Sequence, residues 1–122
     1  MNPPDDDTVT LFHPVGPGEH RLVEQSGFRA FPPPPAQQPI FYAVLTEEFA
    51  LKIVREWIIP DLGSGSVTRF KVGRAFLSRY PVENAGGPGL EEYAIAAKDL
   101  AEFNQNIVGL IEVIRQFRSA GP

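Results

Sequence analysis

Three side chains in this sequence have types and surroundings suited to chemistry. They are His13 in "LFHPVG", Tyr42 in "IFYAVL" and Glu92 in "AGGPGLEEYAIA". The last is the most suggestive, because a pair of adjacent glutamates stands at the mouth of a strand just after a glycine-rich loop. A carboxylate held there can serve as a catalytic acid facing a ligand cleft. Each position also has a plainer reading. His13 fits an edge residue with a hydrogen-bonded ring, Tyr42 a core residue with a satisfied hydroxyl, and Glu91 with Glu92 a solvated strand start.

Other chemistries lack their parts. The two histidines, His13 and His20, are separated by a proline–glycine turn and have no cysteine to assist them, so the usual zinc ligand set is missing. Asp5, Asp6 and Asp7 lack the remaining ligands and the central glycine of a calcium loop. Ser26 sits in no G-x-S-x-G elbow, and His20 is expected on an exposed helix face. With no cysteine there is no disulfide or thiolate nucleophile, which agrees with a reducing cytoplasm.

The elements that position these residues are short. The 122 residues suit one domain with a real core. We expect a tail over residues 1–7, disordered and acidic, and a single domain over 8–118. The start of the chain lacks the apolar run of a secretory signal, and no apolar stretch reaches the ~20 residues that span a bilayer. The formal charge of −4 gives no bulk attraction to nucleic acid or to anionic membranes. Cytoplasmic localisation is the resulting expectation. Thirteen prolines and eleven glycines fall in clusters, which points to short elements joined by stiff loops.

"TVTLFH" reads as a strand from Thr8 to His13, stopped by Pro14. A short helix is expected from Pro17 to about Ser26, with "FRAF" after it as a brief strand or pinned loop. Pro32 to Pro39 reads as a stiff polyproline-like loop. It lies between folded elements without flanking basic residues, which disfavours an SH3-type ligand. Ile40 to Leu45 is continuous and apolar, hence a buried strand. Thr46 then caps an amphipathic helix whose core face is Phe49, Ala50, Ile53, Val54 and Trp57, ended by Pro60. "VTRFKV" alternates as a half-buried strand, "GRAFLSRYPV" as a helical turn, and "ENAGGPGL" as a flexible loop. "EEYAIA" is a strand, "AKDLAEFN" a short helix, and Ile107 to Phe117 a long final strand with Gly109 at a bulge. The class is α+β, a small sheet of about five or six strands with short helices. No strand leads into G-x-G-x-x-G or a P-loop.

In this order the chain resembles short bacterial proteins labelled ADP-ribosylation/crystallin J1. The resemblance is carried by "LFHPVGPGEHRLVEQSGFRAFPP", "QPIFYAVLTEEFALKIVREW", "VTRFKV", "FLSRYPV", "EEYAIAAKDLAEFN" and "IVGLIEVI", and covers residues 8–117. The crystallin half of that label refers to large all-helical glycohydrolases, for which this chain is too short and too rich in strands. The other half implies an ADP-ribosyltransferase-like fold, a split β-sheet around an NAD cleft. In the His-Tyr-Glu type, the first strand supplies a His, the second a Tyr followed by a helix, and a later strand begins with a Glu. His13, Tyr42 and Glu92 match those positions.

The resemblance implies NAD as co-substrate. Glu92 would be the catalytic residue, stabilising positive charge on the ribose and holding its 2′-hydroxyl. His13 would fix the ribose or pyrophosphate region, and Tyr42 would stack on nicotinamide. The acceptor of ADP-ribose is not specified. Leu90 stands where Arg-specific relatives carry a second Glu or Gln, which speaks against transfer to arginine. Two other readings stand beside this one. The first is a non-catalytic interaction module, such as an antitoxin, immunity or adaptor protein. The second is a small-molecule-binding protein.

Overall fold

The computed structural model describes residues 7–118. Six strands form one antiparallel open sheet in the order β4-β5-β2-β1-β3-β6. They are β1 (Thr8–Val15), β2 (Ile40–Val44), β3 (Ser64–Gly73), β4 (Glu83–Asn84), β5 (Glu91–Ala96) and β6 (Ile107–Arg118). The helices are α1 (Pro17–Gln25), α2 (Glu47–Ile53), α3 (Ile59–Leu62), α4 (Arg74–Leu77) and α5 (Leu100–Gln105). The expected α+β class and short helices therefore hold. Residues 1–6 of the expected tail lie outside the described residues.

Strand alternation divides the core between the two faces of the sheet. On one face Leu11, Val15, Phe41, Phe70 and Ile95 pack with Val23 of α1 and Phe103 of α5. On the other, Val44 and Val67 pack with Phe49, Ala50 and Val54. Thr46 caps α2 by accepting the Phe49 N–H at 3.1 Å, and its hydroxyl donates to Gly89 O at 3.3 Å, tying the helix to the glycine-rich loop.

Two boundary expectations need correction. β1 runs through Pro14 to Val15, in register with β3 at Pro14–Val67 and Val15–Ser66. Only the Phe12–Val44 rung joins β1 to β2, so this stretch has an open side where a residue lacking an N–H is tolerated. The second helix does not end at Pro60. A π-turn over Val54–Ile58 carries it into α3, with the Ile59 N–H bonded to Val54 O. An α-helical turn would set the proline ring against the carbonyl four residues earlier, and the wider turn relieves that contact.

The π-turn also overturns the expected burial of Trp57. One extra residue in the turn advances the helix face, so Trp57 is 68% exposed and Ile58 takes the inward position. The helix then lies so close to the sheet that a Cβ on Gly65 would stand 2.8 Å from Ile58 Cγ2. A further short strand, β4, forms within the expected loop and pairs with β5. Gly109 lies at the expected irregularity, since Arg69 pairs with Glu112 but Lys71 with Val108.

Candidate functional site

The site begins where the sheet ladder stops. Beyond the Phe12–Val44 rung, the link between β1 and β2 is a side chain: His13 Nδ1 lies 2.6 Å from Tyr42 O. A carbonyl has no proton to give, so Nδ1 carries the hydrogen and donates it. The other ring nitrogen, Nε2, lies 2.8 Å from Glu19 Oε2 in the first turn of α1. When the imidazole is protonated, this contact is an ion pair.

Aromatic packing fixes the imidazole plane. Its centroid is 4.1 Å from Phe41 in a tilted stack and 5.1 Å from Phe31 in an edge contact. Phe31 is itself clamped by Asn104 of α5. The Asn104 carbonyl accepts the Phe31 N–H and its amide donates to Phe31 O, both at 3.0 Å. The proline run therefore leaves from a fixed point. His13 is not an edge residue: β1 lies between β2 and β3, and the imidazole is buried.

A cavity of about 550 Å³ opens at this place. His13, Tyr42 and Glu92 all line it, although alternation sets His13 on one face of the sheet and Tyr42 with Glu92 on the other. Sharing a hollow is open to them because β1 and β2 are joined by one rung only. Pro32 to Pro35 form one wall, while Ile53 and Ile58 from the helix around the π-turn contribute to another. Among the described residues, no lysine or arginine lines this cavity.

The two adjacent glutamates have different duties. Glu91 sits opposite Asn84, whose amide donates to Glu91 Oε2 at 3.2 Å. The Asn84 carbonyl meanwhile accepts the N–H groups of Gly86 and Gly87, ordering the glycine-rich turn. Glu92 lines the cavity and stands opposite Glu83. Burial pushes the Glu92 carboxyl above the usual carboxylate range, and the Glu83 charge adds to the rise.

Sequence reasoning missed Glu19. Its spacing from His13, six residues across a proline–glycine turn into a helix, was the available signal, but the pairing depends on the angle between β1 and α1. His20 also departs from expectation. It is half-buried, with Nδ1 3.2 Å from Ser66 Oγ. Among the described residues, no group of three or more His, Cys, Asp or Glu is arranged to hold a metal ion. Among the described residues, no helix is long and apolar enough to cross a membrane.

No family model matches the chain, and neither a curated protein nor a solved structure is significantly similar to it.

Proposed function

We propose that this is an ADP-ribosyltransferase-like domain whose cavity receives the nicotinamide–ribose end of NAD. One observation carries the reading: His13, Tyr42 and Glu92, distant in sequence, line one hollow beside the parting of β1 and β2. The lining fits that end of the dinucleotide. Tyr42 offers a ring face for stacking, and the apolar walls exclude water. NAD, when bound, supplies a sugar–nitrogen bond whose cleavage develops positive charge on the ribose. Glu92 supplies the fixed negative charge that stabilises it and an acceptor for a ribose hydroxyl. His13 is rigidly held by Phe31, Phe41, Tyr42 O and Glu19, so it acts through position.

The proline run shapes the entrance, and the clamp between Asn104 and Phe31 holds it in place. A protein acceptor for ADP-ribose would approach from the open side of the cavity. A second reading, ligand binding without turnover, is favoured by a separate observation. Both nitrogens of His13 are already bonded within the protein, leaving neither free for a ribose.

Unfolding in the presence of NAD tests the binding claim. At a hundred times its Kd, NAD is expected to add about 2.7 kcal/mol to the stability. Tyr42→Ala is expected to weaken that gain. The absence of any stabilisation at millimolar NAD would overturn the reading.

A further inference from the structure

We infer that the chain carries a second binding site, for a small polar phosphomonoester, at the end of the sheet where β1 turns off into α1. The inference does not depend on the NAD reading. A cavity of about 460 Å³ lies there and shares no lining residue with the cavity at His13. Helix α1 stands between the two. Glu19 and Leu22 line the first cavity from one side of the helix, and His20, Arg21 and Glu24 line the second from the other.

Three elements build the second cavity. The β1–β3 ladder ends at Val15–Ser66, whereas β3 and β6 stay paired as far as Ser64–Arg118. The floor is this free end of β3, where Ser64 and Ser66 point to the same face of the sheet. Arg118 and Gln116 stand directly opposite those serines on β6 and project to that face as well. The facing wall is α1, which presents Pro17, His20, Arg21 and Glu24 at three- and four-residue spacing along one side. His20 Nδ1 lies 3.2 Å from the buried Ser66 Oγ and holds that wall against the floor.

The charge resides in Arg21 and Arg118, whose guanidinium groups stay protonated throughout the working pH range. They belong to opposite walls, and among the described residues neither is in an ion pair. Glu24 is the one carboxylate among the lining residues, so this cavity is net positive in a chain whose formal charge is −4. Two guanidinium forks and two hydroxyls offer more donors than the two oxygens of a carboxylate can use. They suit the three terminal oxygens of a phosphomonoester. The space beyond the phosphate is bordered by Glu24 and Gln116, which hydrogen-bond hydroxyl groups of the organic part.

The experiment titrates the isotope-labelled full chain, at constant ionic strength, with glycerol 3-phosphate, acetate and glycerol. Amide shifts of Ser64, Gly65 and Ser66 report this cavity, and those of Tyr42 and Tyr93 report the first one. Glycerol 3-phosphate is expected to shift the first set saturably, with half-saturation at about 1 mM or below. Acetate and glycerol are expected to bind at least about tenfold more weakly, since a lost hydrogen bond to a charged group is worth about that factor. Arg21→Gln and Arg118→Gln are each expected to weaken glycerol 3-phosphate by about tenfold. Both arginines are exposed, so neither substitution touches the core.

Shifts that never saturate, acetate binding as tightly as glycerol 3-phosphate, or an affinity that survives both arginine substitutions would overturn the inference. Saturable shifts confined to Tyr42 and Tyr93 would overturn it as well, because the phosphate would then occupy the first cavity.

Discussion

Glu92 faces Glu83 directly across the β4–β5 pair, at the rim of the cavity. Glu92 therefore carries a double handicap, partial burial first and a like charge second, and both hold its carboxyl above the usual range. The native state accordingly binds this proton more tightly than the unfolded chain does. Stability falls as pH rises from the ordinary carboxylate value through the folded-state value, and above that window the penalty is complete. Glu92→Gln is expected to raise stability at neutral pH and to leave it unchanged in strong acid. Glu83→Gln is expected to lower the Glu92 midpoint only in part, because burial remains. Carboxyl ¹³C titration and denaturant melts across pH check both outcomes; a destabilised Glu92→Gln at neutral pH would place Glu92 in a structural network.

Trp57 lies outside the core, so Trp57→Ala is expected to change stability by no more than about 0.5 kcal/mol. Phe103→Ala, which empties a fully buried position, is expected to cost about 3–5 kcal/mol. Paired chemical denaturation curves measure the contrast. A large loss on removing Trp57 would contradict the face shift produced by the π-turn.

The same helix makes a test of close approach. Gly65→Ala drives a methyl group against Ile58 and Val54 and is expected to cost about 1–3 kcal/mol. At Gly18, in the first turn of α1, an added Cβ meets nothing within 4 Å. Gly18→Ala is expected to be neutral or to stabilise by up to about 1 kcal/mol through helix propensity. Thermal melts of the two variants distinguish these signs.

Asn104→Ala removes two hydrogen bonds from the Phe31 backbone and is expected to cost about 1–3 kcal/mol. The loss is expected to be local as well as global. Amide exchange at Phe31 rises, and any ligand that needs the proline wall binds less tightly. Unaltered exchange at Phe31 would show that the clamp does not hold the loop.

Much of this arrangement was legible in the sequence where local rules decide. The Thr46 cap and the bulge near Gly109 are set by neighbours in the chain, and they form where expected. What was not legible depends on long-range geometry. Trp57 has the spacing of a core residue, and only the accommodation of Pro60 by a π-turn sends it outward. Pro14 normally stops a strand, but here β1 has an open side beside β2. Glu19 is one acidic residue among fifteen, and nothing short of the fold brings it to His13.

Nicotinamide release from NAD, followed in single-turnover and steady-state assays, tests the account most directly. The unaltered chain is expected to release nicotinamide slowly, and Glu92→Gln is expected to lose about a hundredfold or more of that rate while still binding NAD, as removal of one electrostatic stabiliser does. Release that persists at full rate in Glu92→Gln would contradict the assignment of Glu92, and tight NAD binding with no release at all would leave the cavity a binding site only.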